Sequence, residues 1–376
     1  MPTGAGKTRT AMHLVARHLR ENEPTVVVWL ALSGELLEQA ATEFERAWSF
    51  LGNRPLSVVR FWGSRQCDLL SFRDGLVVGG LGKLHAASLV DGNLVPSFAD
   101  AVSLTVMDEA HQAIAPTYTN LLNILSAKCP SAALLGLTAT PGRTYSDIAK
   151  DEVLSEFFGR NKVTLEIPGY DSPIRYLIDE GYLARPVFRR LDIESAVHLT
   201  AKTRAELEES LDLPDGLLDQ LAEDDRRNLL IVRETEALLG RHRRVIVFAT
   251  TKNHAVVLAA VMRARGYVAE SVTGETSEFE RQAILQRYVS NDSTPIALFN
   301  YGVLTTGFDA PATSAALIAR PTRSLVLFSQ MVGRAIRGPK SGNGNESAEI
   351  VSVVDLSLPG FDDPANAFTN WEDVWR

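Results

Sequence analysis

Cysteine is almost missing: Cys67 and Cys129 are the only two among 376 residues, and they form no C-x-x-C pair. A zinc ribbon therefore has no support, and the pair reads as core thiols in a reducing compartment. No apolar run reaches about 18 residues, and the N-terminus lacks the apolar stretch of a signal peptide. The sequence thus predicts no helical membrane span and a cytoplasmic chain. Net positive charge is also absent. The chain carries −8, which is not the footprint of a protein that holds nucleic acid by charge alone. That lowers the expected nonspecific affinity without excluding binding, because backbone N–H groups and helix N-termini also hold phosphates. Two local basic clusters, Arg185 with Arg189 and Arg190, and Arg241-His242-Arg243-Arg244, each read alone as solvated faces. The seven histidines show no metal-ligand spacing. An apolar share of 45% and a charged share of 22% are ordinary for a globular chain, and the length allows two to three domains.

What is present begins at once. Met1-Pro2-Thr3-Gly4-Ala5-Gly6-Lys7-Thr8 ends in Gly-Lys-Thr. Gly4 and Gly6 let backbone N–H groups close around phosphate oxygens, Lys7 can reach terminal phosphates, and the Thr8 hydroxyl can ligate Mg²⁺. The full pattern wants a glycine where Met1 stands, so a merely glycine-rich N-terminus is the bland alternative. Asp108-Glu109-Ala110-His111 then follows the apolar, β-prone stretch 102–107. Asp108 falls at the carboxyl end of a buried strand, where open α/β sheets bind their ligands. An acidic pair there supplies a metal contact and a group to orient an attacking water; a solvated acidic turn is the competing reading. Together the two segments point to ATP hydrolysis. Farther on, Gln330-Met331-Val332-Gly333-Arg334-Ala335-Ile336-Arg337 sets two arginines on one face of a predicted helix. Their distance along the chain is what an arginine finger delivered by a second domain requires.

These three elements, in this order, resemble the superfamily 2 helicases with the DEAH form of the acidic motif. Trp29-Leu30-Ala31-Leu32 with Leu36-Leu37-Glu38-Gln39 looks like motif Ia, without its usual proline. Thr138-Ala139-Thr140-Pro141 looks like motif III, residues 245–250 like motif IV, and residues 303–311 like motif V. Within the superfamily, the set is most similar to the DNA repair helicases and type III restriction subunits. The resemblance implies two RecA-like lobes, ATP and Mg²⁺ as cofactors, and nucleic acid as partner, DNA more than RNA. Other proteins of a defence or repair complex are further implied partners. By the same resemblance Lys7 and Thr8 hold phosphates and Mg²⁺, Asp108 ligates Mg²⁺ in part through water, and Glu109 deprotonates the attacking water. Arg334 and Arg337 stabilise charge on the γ-phosphate. His111, Thr138, Thr140 and Gln330 couple nucleotide state to lobe closure, while Gly307 and Asp309 contact nucleotide and strand.

The periodicity predicts an α/β chain with parallel sheets. A first lobe over 1–165 alternates strands at 25–30, 56–61, 76–78, 102–107 and 132–137 with helices such as 34–50. A helical connector is expected over 166–240, with a helix at 173–180 and a break at Pro214-Asp215-Gly216. A second lobe over 241–360 repeats the alternation, with a mobile Gly/Ser/Asn loop at 338–347 and a tail at 361–376. The phosphate loop is normally fed by a strand, and the chain starts inside the loop, so the first lobe is expected to lack that strand. Three functions stay open: a nucleic-acid-stimulated motor, a nonmotor binding subunit with a helicase fold, and an NTPase switch without nucleic acid.

Overall fold

The computed structural model describes residues 6–127, 132–138, 148–163, 165–170, 172–197, 199, 207, 213–290, 292–304, 310–322, 324–342, 344–358 and 361. Cys129 and the tail past 361 lie outside them. The described residues fall into two compact units, 6–163 and 165 onward.

The first unit runs α1 (Lys7–Glu21), β1 (Val26–Ala31), α2 (Gly34–Leu51), β2 (Ser57–Phe61), β3 (Gly75–Gly80), α3 (Leu81–Val90), α4 (Leu94–Ala99), β4 (Val102–Asp108), α5 (Pro116–Ala127), β5 (Ala133–Leu137) and α6 (Ile148–Phe157). Its sheet is parallel, in the order β2-β3-β1-β4-β5. β1 is buried at every position because helices cover both faces. Val27, Trp29 and Ala31 meet Met12, Val15 and Leu19 of α1 and Phe44 of α2; Val26, Val28 and Leu30 meet Phe98, Leu121 and Leu125 on the other side. This two-sided burial is why parallel strands read as unbroken apolar runs. All carboxyl ends share one edge, so Ala31, Gly80, Asp108 and Leu137 end together.

The second unit holds α7 (Pro173–Asp179), β6 (Arg185–Ile193), α8 (Asp215–Glu223), α9 (Asp225–Leu239), β7 (Arg244–Phe248), α10 (Lys252–Ala264), β8 (Val268–Val272), α11 (Glu278–Val289), β9 (Ile296–Asn300), β10 (Ala315–Ile318), α12 (Leu325–Val332) and β11 (Ser347–Asp355). Its sheet is again parallel, ordered β6-β11-β10-β7-β9-β8. Two parallel α/β units agree with the two-lobe architecture expected from the sequence. No helix among the described residues is long and apolar enough to cross a membrane.

Three sequence expectations need correction. The stretch 166–240 is not only helical: β6 pairs with β11 along its whole length and forms an edge of the second sheet. Pro214 precedes α8 directly, at the expected break, and a further break falls at Asp224, whose carboxylate accepts the Arg227 N–H at 2.9 Å to start α9. The basic clusters are solvated only in part: Arg185, Arg190, Arg241 and Arg243 are exposed, but Arg244, Arg189 and His242 serve the fold. Arg244 is buried and donates to the carbonyls of Tyr288, Ser290, Asp292 and Thr294 after α11, satisfying groups that a helix end leaves open. Arg189, Arg241 and His242 converge on Glu349. Burial acts to raise the Glu349 pKa, yet hydrogen bonds from His242, Arg241 and Arg189 pull it down to about 2. Finally, the 338–347 loop is tied down, as shown below.

One buried cation in the second unit carries a stability prediction. Arg227 is fully buried on α9 and donates to Thr250 Oγ1 at 3.3 Å and to the Ala319 carbonyl. Both acceptors follow the carboxyl ends of β7 and β10, so this side chain ties α9 to that edge. Burial lowers its pKa to about 10, with the charges of Asp355 and Asp224 opposing the shift. Arg227→Ala should remove roughly 3 kcal/mol of stability, since it strands polar groups and leaves a void. Denaturant unfolding followed in the second unit measures this, and an unchanged midpoint would remove the anchor.

Candidate active site

The site in the first unit is built at the carboxyl edge of its sheet. Gly6 has φ 83 and ψ 26, the left-handed geometry that glycine adopts without strain, and leads into α1. Gly6 caps the 15-residue helix without a side-chain hydrogen bond, and the first N–H groups of a helix, with its dipole, form an anion site. Lys7 and Thr8 are its first two residues. Asp108 closes β4 and is 5% exposed. Burial and the neighbouring Glu109 charge push its pKa up to about 7, against the nearby Lys7 charge and the Glu109 N–H, which donates to Asp108 Oδ1 at 3.0 Å. The ammonium that begins α1 and the carboxylate that ends β4 therefore act on each other.

Glu109 itself has φ 54 and ψ 51. A non-glycine residue in that region stores strain and marks a functional turn. The turn re-aims the chain into a short 3₁₀ segment, Ala110–Gln112. There the buried His111 sets Nδ1 3.4 Å from Glu109 Oε2 and 3.5 Å from Thr138 Oγ1, the outer limit of a hydrogen bond. Thr138 directly follows β5. The expected coupling residues His111 and Thr138 are thus in line with the acidic pair, joining two strand ends.

The donor set suits Mg²⁺. Among the described residues no three ligating side chains cluster, and a Mg²⁺ ion held by one or two carboxylates, nucleotide phosphates and water needs no such cage. Thr8 and Asp108 are the residues that would hold it, and a buried carboxyl raised by a second carboxylate is the environment a divalent cation relieves.

In the second unit, Gln330 lies on α12 and is 9% exposed. The arginines are not on that helix. α12 stops at Val332 with Gly333 as its cap, Arg334 is in a turn, and Arg337 forms a bridge with Leu183. The one-face arrangement expected from the spacing is therefore replaced by a clamped segment. The Ala184 N–H donates to the Ile336 carbonyl at 3.0 Å, the Gly338 N–H to Tyr182 at 3.0 Å, the Lys340 N–H to Gly181 at 2.9 Å, and the Asn345 N–H to Arg337 at 2.8 Å. A Cβ on Gly338 would stand 2.3 Å from the Gly181 carbonyl oxygen, so only glycine permits this approach. The loop composition concealed these bonds.

Gly4, Thr140, Gly307 and Asp309 lie outside the described residues. Sequence reasoning missed Gly136 of β5, where a Cβ would sit 2.8 Å from the Ala110 Cβ and 2.6 Å from the Phe158 ring. That glycine makes room for the turn behind Glu109. A glycine inside an apolar strand was the available signal.

Two families match this chain: "Type III restriction enzyme, res subunit" over residues 1–143, and "Helicase conserved C-terminal domain" over residues 228–339. A relative from Saccharomyces cerevisiae, "Putative ATP-dependent helicase IRC3", is 26% identical over 242 residues, covering 63% of this chain and 32% of the relative. The "Type I restriction enzyme EcoAI endonuclease subunit" of Escherichia coli is 23% identical over 363 residues, covering 90% and 41%. This chain spans only 32% to 50% of the length of its curated relatives. Among solved structures, the fold is similar to that of the DUF1998 helicase MrfA bound to DNA, with a TM-score of 0.65 and 15% identity over 99% of this chain and 45% of that one.

Proposed function

The chain is one of the superfamily 2 helicases, related to type I and type III restriction-enzyme subunits, and on that premise we propose that it is a nucleic-acid-dependent ATPase acting as a DNA helicase or translocase in repair or phage defence. The observation that carries the reading is the first-unit site. A helix N-terminus begun by Lys7 and Thr8 acts on Asp108, and a strained Glu109 contacts His111 in line with Thr138. Backbone N–H groups of α1 and the Lys7 ammonium bind the phosphates. Mg²⁺, held by Thr8 and Asp108, would neutralise phosphate charge. Glu109 orients the attacking water and accepts its proton. His111 and Thr138 pass the state of that carboxylate to the end of β5. Arg334 and Arg337, of the second unit, stabilise charge on the γ-phosphate. Gly4, Thr140, Gly307 and Asp309 complete the set by resemblance. In this reading the protein works in the cytoplasm, beside other proteins of a defence or repair complex.

ATP turnover measured without nucleic acid and with single-stranded DNA, duplex DNA and RNA tests the proposal. DNA should stimulate more than RNA, and duplex at least as well as single strands. Stimulation confined to RNA would overturn the DNA assignment. Equal turnover in all four would favour an NTPase switch, and ATP binding without turnover would favour the nonmotor subunit.

A further inference from the structure

A basic stripe runs down α1 on the side away from the core. Arg9, His13, Arg17 and Arg20 are all exposed. At 100° per residue they fall within about 80° of one another, opposite Ala11 and Val15, which are buried in the core. Glu21 is the sole acidic residue of the helix, and it pairs with Arg17 at 2.8 Å at the far end of the stripe, where the two side chains are 78% and 58% exposed. Such an exposed pair contributes little and exchanges readily. Beside it lies a hollow of about 280 Å³ lined by Arg17, Arg20, Glu21 and Asn53. Three full positive charges on one helical face stand out in a chain of net −8.

We propose that this stripe is a second nucleic-acid contact, one that holds the phosphate backbone of duplex DNA outside the ATP site. The proposal rests on the reading of the chain as a DNA-dependent ATPase. Arg9 and Arg20 are about 16 Å apart along the helix axis, the axial length of about five base pairs. Three cations spread over that length can meet more than one phosphate of the backbone. Arginine's planar fork suits phosphate oxygens, and Arg17 and Arg20 both line the hollow. Leu14 is the one exposed large apolar residue of the helix, so the face has little to offer an apolar partner surface. The far end of α1 leads into the amino end of β1, whereas Lys7 starts at the carboxyl edge; the stripe thus extends along the whole depth of the sheet. Its role is to raise affinity without entering the chemistry.

The test is Arg17→Gln with Arg20→Gln in the full chain, read by ATP turnover against duplex concentration at several salt concentrations. Turnover without DNA and at saturating DNA should match the parent. The duplex concentration for half-maximal stimulation should rise about tenfold, and the slope of log affinity against log salt should flatten by about 2, near 0.9 for each phosphate no longer neutralised. Arg17→Lys with Arg20→Lys should keep the parent slope, which a merely structural role for the arginines would not explain. An unchanged slope and midpoint in the Gln pair would overturn the stripe while leaving the ATPase reading intact. A parent chain that no nucleic acid stimulates would instead remove that reading and the stripe with it. Unchanged DNA response combined with weakened binding to polyglutamate or to phosphatidylserine vesicles would also overturn the proposal, and would assign the face to an acidic polypeptide or a membrane surface.

Discussion

Glu109→Gln binds ATP as the parent does and turns it over roughly 10²–10⁴-fold more slowly, the usual loss when a general base is removed; that is the expected result. The amide keeps the shape of the side chain and its contact with His111, but it cannot take a proton from water. Lys7→Ala should behave differently and lose binding as well as turnover, because its ammonium serves the ground state and sits at the helix N-terminus. Equilibrium binding of a fluorescent ATP analogue, with turnover measured on the same samples, separates the two. The backbone adds a second signature. Glu109 holds φ 54, and a strained residue of this kind costs about 1–3 kcal/mol. Glu109→Gly should therefore raise stability while abolishing turnover, an opposition expected where strain is kept for function. Parent-like turnover in Glu109→Gln would take the base away from this residue.

That site is legible in the sequence for a physical reason. β1 and β4 are buried on both faces, so they appear as continuous apolar runs, and the first charged residue after such a run marks the strand's carboxyl end. Asp108 is placed in this way, and its strand lies where the pattern puts it. β6 is not legible. It is an edge strand with alternating exposure, and its sequence Arg185-Pro186-Val187-Phe188-Arg189-Arg190-Leu191-Asp192-Ile193 carries the charge and proline with which edges avoid further pairing. The pattern around the arginines misleads because Phe328, Met331, Val332, Ala335 and Ile336 recur at helical spacing and are all buried. Past Gly333, however, Ala335 and Ile336 are buried in the core beside Leu183, after the helix has ended. Periodicity records burial, and here two different geometries bury one continuous pattern. The bonds that fix Gly338 and Lys340 reach back to 181–182, across a separation that no local pattern can report.

The clamped segment also frames the second large effect. Arg337→Ala should bind ATP almost normally and hydrolyse it about 10³–10⁵-fold more slowly even at saturating DNA, the contribution of arginine fingers in phosphoryl transfer. Arg334 and Arg337 belong to the second unit, whereas Lys7, Asp108 and Glu109 belong to the first. An arginine finger acts on charge that develops only in the transition state, so its loss should spare ATP affinity and slow the chemical step. The chain around Arg337 fits that duty. Its carbonyl accepts from Asn345, its neighbours bond to residues 182 and 184, and Gly338 leaves no room for a side chain. The base of the side chain is thus fixed before nucleotide arrives, which lowers the entropy lost in reaching the phosphate. Arg337→Lys should recover little, since a point charge cannot reproduce the planar fork. Steady-state turnover and ATP binding, compared for Arg337→Ala, Arg337→Lys and Arg334→Ala, decide which arginine reaches the γ-phosphate. If every one of them hydrolyses ATP at the parent rate, chemistry is complete within the first unit.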